Sequence, residues 1–153
     1  MAIGERIRFF RKKKKLTQKE LGVQAGYPEK SADIRVAQYE NGSRSPRPDA
    51  IEILAETLGV SPKALAVPDI DNKEGLMHTL FALEDTLGLQ VDSAGEEPFL
   101  KFGAELGEKT PELYALLIAW ATRSGQLERG EITKEEYDRW RYTLASAEDG
   151  ARS

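Results

Sequence analysis

The sequence predicts a mainly α protein: five short helices in residues 1–68, then a mostly helical region, 72–153, with a possible small β-hairpin. Three observations carry this prediction. Apolar residues recur at three- and four-residue spacing through most of the chain, the period of a helix with one buried face. Helix-start signals, Thr or Ser followed by Pro or by Glu three residues on, punctuate it repeatedly. One stretch alone, Leu89 to Phe102, reads as extended chain around a polar turn.

In the N-terminal part, Ile3, Ile7 and Phe10 define the first helix, with Arg and Lys filling its other positions. Thr17-Gln-Lys-Glu20 is a capping box for the second helix, in which Leu21 and Ala25 face inward and Gly26 marks the stop. After the loop Tyr27-Pro28-Glu29-Lys30, Ser31 is placed to cap a third helix ending at Glu40, before Asn41-Gly42. On it Ala32, Val36 and Tyr39 share an apolar face. Pro48 suits the first turn of a fourth helix, whose inward residues are Ile51, Leu54, Ala55 and Leu58, and Gly59 ends it. Ser61-Pro62 starts a short fifth helix through Ala66.

Pro68 to Asn72 is a polar link and a natural domain boundary. Lys73 to Leu87 follows as a helix, with Leu76, Leu80 and Leu87 on one side and Met77 and Phe81 beside them. Leu89 with Val91, and Phe99 to Phe102, suggest two strands of a hairpin. Thr110-Pro111 opens a long helix with an apolar stripe from Leu113 through Leu116, Leu117, Trp120 and Ser124 to Leu127. A second capping box, Thr133 to Glu136, opens the last helix, with Tyr137, Trp140 and Leu144 expected inward. Residues 127–144 loosely resemble short helical-hairpin oligomerisation segments, which implies an oligomerisation or regulatory role for 72–153.

Composition excludes several functions. Cysteine is absent and histidine occurs once, at His78, so thiolate chemistry, disulfides and multi-histidine metal sites are not expected. No metal, no cofactor and no catalytic residue is expected. The longest uncharged run near the middle of the C-terminal half, Leu113 to Thr122, is too short for a bilayer span, and Glu5, Arg6 and Arg8 do not suit a secretory signal, so the expected compartment is the cytoplasm. Charge is divided unevenly. Residues 1–48 hold twelve Lys/Arg against five Asp/Glu, a net of +7, while the whole chain stands at −4. A basic head on an acidic body suits a polyanion partner.

Three features stand in one order: a capped helix starting Leu16-Thr17-Gln18, a helix ending Gln38-Tyr39-Glu40-Asn41-Gly42, and a helix ending Leu58-Gly59-Val60-Ser61-Pro62. Together they resemble the phage-repressor-like (Cro, XRE) helix-turn-helix family of DNA-binding regulators over residues 2–68. That resemblance implies a five-helix fold whose third helix enters the major groove. It also implies that Asp33, Ile34, Arg35, Ala37 and Gln38 sit at positions that touch bases. Chemistry gives each a role. Gln38 can bond adenine as a pair, Ile34 and Ala37 can meet a thymine methyl, Arg35 can bond guanine or phosphate, and Asp33 can accept from cytosine. Ile34 has an alternative, packing beneath the turn. Gln18 resembles the family's phosphate-binding glutamine. Asn41, Ser43 and Arg44, just past the third helix, and Lys15 at the end of the basic run, are the other expected phosphate contacts. Arg11 and Glu40 resemble a structural ion pair. The chain departs from the family in two places. Extra residues lie between Gly26 and Tyr39, around Glu29 to Ala32, and Lys15 stands where glycine is common.

The first functional reading is therefore a non-enzymatic, sequence-specific transcriptional regulator, a repressor in type, binding double-stranded DNA as a homodimer on an inverted repeat. The second is a protein-interaction module, such as an antitoxin or adaptor, with secondary DNA binding. Nothing in the sequence identifies an effector.

Overall fold

A computed structural model describes residues 3–68 and 70–144. These fall into two units, 3–68 together with 138–144, and 70–137. The first contains α1 (Ile3–Lys13), α2 (Gln18–Gln24), α3 (Ala32–Glu40), α4 (Pro48–Leu58) and α5 (Pro62–Leu65). The start signals act as expected for α2. Thr17 Oγ1 accepts from the Glu20 amide at 3.1 Å, and the Glu20 carboxylate accepts from the Thr17 amide at 2.7 Å. Prolines stand in the first turns of α4 and α5. Ser31 precedes α3 but gives it no side-chain cap; its hydroxyl donates instead to the Pro28 carbonyl at 3.4 Å.

Ile7 and Phe10 of α1, Leu21 of α2, Val36 and Tyr39 of α3, Leu54 and Leu58 of α4 and Leu65 of α5 meet in one core. Each large aliphatic side chain buried here contributes about 1.5–3 kcal/mol relative to exposure. Gly22 sets the α2–α3 distance. A Cβ at that position would lie 2.6 Å from the Ala32 carbonyl oxygen, so only a residue without one lets the two backbones approach this closely.

The core is completed from the far end of the chain. The last helix, α9 (Lys134–Tyr142), sends Asp138 and Tyr142 onto α1. Tyr142 stands edge-on to Phe10 with ring centroids 4.8 Å apart, and its carbonyl accepts from the Ser61 amide at 2.8 Å. Asp138 is 3% exposed, accepts from Lys13 Nζ, and accepts from Arg141 Nε at 3.0 Å. Of the residues expected inward on α9, Tyr137 and Trp140 are half-buried, while Leu144 is exposed and lies past the end of the helix; the buried position is that of Asp138. An aspartate can take a buried position here because two cations neutralise it.

The second unit runs α6 (Lys73–Leu87), β1 (Leu89–Ala94), β2 (Glu97–Phe102), α7 (Leu106–Lys109), α8 (Pro111–Glu128) and the first turn of α9. Asn72 caps α6 by accepting from the amides of Glu74 and Gly75. The strands are antiparallel, with Leu89 opposite Phe102 and Val91 opposite Leu100. Trp120 Nε1 donates to the Tyr137 hydroxyl at 2.7 Å. The Leu113–Leu127 stripe is only partly covered, and no residue of α8 is buried.

Candidate nucleic-acid interface

The site is built on α3. Ala32, Val36 and Tyr39 are buried against the core, as the helical period requires, so the opposite side of the helix faces outward. Asp33 and Ile34 are exposed there, and Arg35, Ala37 and Gln38 are half-buried. Ile34 is 55% exposed, which excludes packing beneath the turn.

The additional residues are contained in the loop from Ala25 to Ser31. Its ends are fixed by hydrogen bonds from the Tyr27 amide to the Gly22 carbonyl and from the Ser31 amide to the Pro28 carbonyl, each 2.9 Å. The lengthened turn leaves the inward face of α3 intact. Tyr27, from this loop, brings its hydroxyl 3.5 Å from that of Tyr39 and lies 5.8 Å below the Arg35 guanidinium. Burial is the main reason its phenol is held well above its ordinary pKa, and Tyr27 stays neutral.

Past α3 the chain folds back on itself. Asn41 Oδ1 accepts from the Ser43 amide at 2.9 Å, and the Arg44 amide donates to the Gln38 carbonyl at 3.1 Å. This puts Ser43 and Arg44, both exposed, beside the last turn of α3. Arg35, Arg44 and Arg47 then line one cleft of about 310 Å³ with Tyr27, Tyr39 and Ile53. The sequence reading did not single out Arg47. Its signal was its place between Pro46 and Pro48, a rigid approach to α4 that fixes where the side chain begins.

Gln18 is the first residue of α2, and its amide nitrogen donates to Glu40 Oε2 at 2.9 Å. It is therefore tied into the pair formed by Arg11 and Glu40. Arg11 Nε and Nη2 donate to the two Glu40 oxygens at 2.5 and 3.0 Å, and Nη1 donates to the Leu16 carbonyl at 2.7 Å. Burial alone would raise the Glu40 pKa, but the hydrogen bonds from Arg11 and Gln18 and the Arg11 charge outweigh it and hold it below the ordinary value. The cluster fixes α1, α2 and α3 together behind the outward face.

The basic run divides by partner. Lys13 binds Asp138, and Lys14 Nζ donates to the Thr57 carbonyl at 2.5 Å. Lys12 and Lys15 are exposed. Lys15 adopts the left-handed conformation with φ of +58°, a backbone geometry that glycine takes without the cost a side chain brings.

Residues 7–65 match the protein family described as helix-turn-helix. The matched stretch contains α2 and α3, the successive helices joined by the turn described above. No curated protein matches the chain. A solved structure described as that of the transcriptional regulator BswR is similar at 28% identity and a TM-score of 0.42, the match covering 56% of this chain and 97% of that one. No helix among the described residues is long and apolar enough to cross a membrane.

Proposed function

We propose that the chain is a sequence-specific transcriptional regulator, a repressor, that binds an inverted-repeat operator in double-stranded DNA as a homodimer in the cytoplasm. The observation that carries this reading is the outward face of α3: an exposed Ile34 and Asp33 with Gln38 beside them, flanked by Arg35, Arg44 and Arg47. Base-edge groups stand at the centre and guanidinium groups at the margin, the distribution that separates sequence reading from phosphate anchoring. Asn41, Ser43, Arg44 and Lys15 hold the phosphates; Gln18 assists from the start of α2. One such domain covers too few base pairs for selectivity, and two-fold pairing doubles the readout. The large apolar side chains that α6 and the hairpin leave exposed, among them Phe81, Val91 and Leu100, support a dimer formed by the C-terminal region.

Selection of bound sequences from a random DNA pool, followed by titration, tests the reading. An enriched palindrome is expected. Gln38→Ala lowers affinity for that sequence by about 1–3 kcal/mol and leaves scrambled DNA almost unchanged, because a base-edge pair is lost. Arg44→Ala weakens both DNAs and reduces the salt slope by about 1. Equal weakening of both DNAs by Gln38→Ala would remove Gln38 from the reading face.

A further inference from the structure

We propose that the groove between α6 and the β-hairpin is a two-fold interface in which a second copy of this chain completes the core of residues 70–137. The inference deepens the dimeric reading above and rests on it: it names the surface and what the partner supplies there.

The composition of this unit is at odds with its packing. Leucines and aromatics recur at helical spacing in α6 and α8, yet neither helix contains a buried residue. Among the described residues of the unit, Leu89 and Leu106 are the only buried hydrophobic side chains. The head, of similar length, buries Ile7, Phe10, Leu21, Val36, Leu54 and Leu65 among others. A unit of this size cannot offset its conformational entropy with so little buried apolar surface, so the missing contacts come from outside it.

The location follows from strand register. Pairing Leu89 with Phe102 and Val91 with Leu100 places all four on one hairpin face. Only its base is covered, at Leu89; Val91 is 72% exposed and Leu100 54%. Val91 and Leu100, with Met77 and Phe81 of α6 and Phe99 of β2, line a groove of about 330 Å³. Taking roughly 200 Å² for a large side chain, the exposed parts of these five residues come to about 500 Å², near the upper end of the patches monomers expose. Adding the rim brings the face towards the roughly 800 Å² per partner of a standard interface.

Charge identifies the occupant. Residues 70–137 carry fourteen Asp/Glu against six Lys/Arg, a net of −8, which disfavours nucleic acid on this unit. The groove itself has one charged lining residue, Glu84, and on the hairpin's other face Lys101 Nζ neutralises Asp92 at 2.8 Å. A largely apolar groove with a single charged lining residue, and an exposed apolar area near what a standard interface needs, suits pairing with a second copy, and the resulting two-fold axis is the symmetry of an inverted repeat. Because both copies are acidic, their association tightens as salt rises, opposite in sign to DNA binding.

Sedimentation equilibrium of the full chain at several salt concentrations tests this, with Val91→Asp on the groove and Leu116→Asp on α8 as a control. A wild-type dimer at micromolar concentration that tightens with salt is expected. Val91→Asp weakens it at least 100-fold and Leu116→Asp less than threefold. Val91 is largely exposed, so Asp there removes no buried contact within one chain, and any loss of circular dichroism in the variant is expected only where the dimer is lost. Val91→Thr, which keeps strand propensity, is expected to weaken the dimer at least tenfold. A dimer lost with Leu116→Asp but kept with Val91→Asp and Val91→Thr overturns the groove and leaves the dimeric reading standing. So does a dimer that loosens with salt. A wild-type monomer up to 100-micromolar concentration overturns both.

Discussion

Replacing Tyr142 with alanine tests whether the end of α9 belongs to the N-terminal head. The ring is half-buried, edge-on to Phe10 at 4.8 Å and to Phe9 at 6.3 Å, with the Arg6 guanidinium 5.9 Å from its centroid. Truncating a fully buried aromatic side chain costs about 3–5 kcal/mol, so half of that, about 2 kcal/mol, is the packing contribution at this exposure. The edge-on pair adds about 0.5–1 kcal/mol. The Ser61 amide bond to the Tyr142 carbonyl survives, because it is a backbone contact. The expected loss is therefore about 2–3 kcal/mol, or roughly 2 M in the urea midpoint for a domain this small. Native-state hydrogen exchange at the amides of Leu54 and Ala55, deep in the head, localises the effect. Exchange there should speed by a factor of about 30–150, the same free energy expressed as a rate. If those amides keep their protection within a factor of two, Tyr142 lies on the head without stabilising it, and the two-segment core is refuted. A fragment of residues 1–68 is expected to remain helical and to be less stable than the head of the full chain by at least the Tyr142→Ala amount.

Gly22→Ala should destabilise the head by about 1–3 kcal/mol in the same urea assay, because the new Cβ meets the Ala32 carbonyl and forces α2 from α3. Lys15→Gly relieves a left-handed backbone and is expected to raise stability by up to about 1 kcal/mol. In DNA titrations the same variant lowers the salt slope by about 1, so stability and affinity move in opposite directions. The Glu40 pKa is depressed in the folded state, so its contribution is present above the ordinary carboxylate range and is lost as pH falls through the folded value. Acid melting curves should therefore show the head weakening below about pH 4, and Glu40→Gln should flatten that part of the profile.

Local chemistry made the head legible. A threonine three residues before a glutamate, a proline in a first turn and a glycine after a last one act through neighbours within one helical turn, and α2, α4 and α5 begin where those signals stand. The face of α3 was legible for the same reason, since its period alone separates Val36 from Ile34. What the sequence concealed was action at a distance. Periodicity in α9 ranks Tyr137, Trp140 and Leu144 as inward by size and apolarity, and nothing local announces that Asp138 meets Lys13 across the chain. The Gln18 amide was hidden in the same way, because its partner Glu40 lies on another helix. Ser31 and Asn72 show the limit of cap signals. The first has the right residue and a backbone that directs its hydroxyl to Pro28, and the second caps α6 with no glutamate to complete a box.

The head's two segments also set a timetable for its synthesis. Lys13 and Asp138 are 125 residues apart. At roughly 5–20 residues per second, a ribosome needs on the order of 6–25 s to make the chain between them. During that interval α1 to α5 have been translated, while the flank of Phe10 and Phe9 that Tyr142 will cover stays open to solvent. A nascent chain thus carries α3 before it carries the residues of α9 that secure the head. Chains that stop before Tyr142 leave that flank unsealed. The stability of the head is thereby tied to translation past Tyr142.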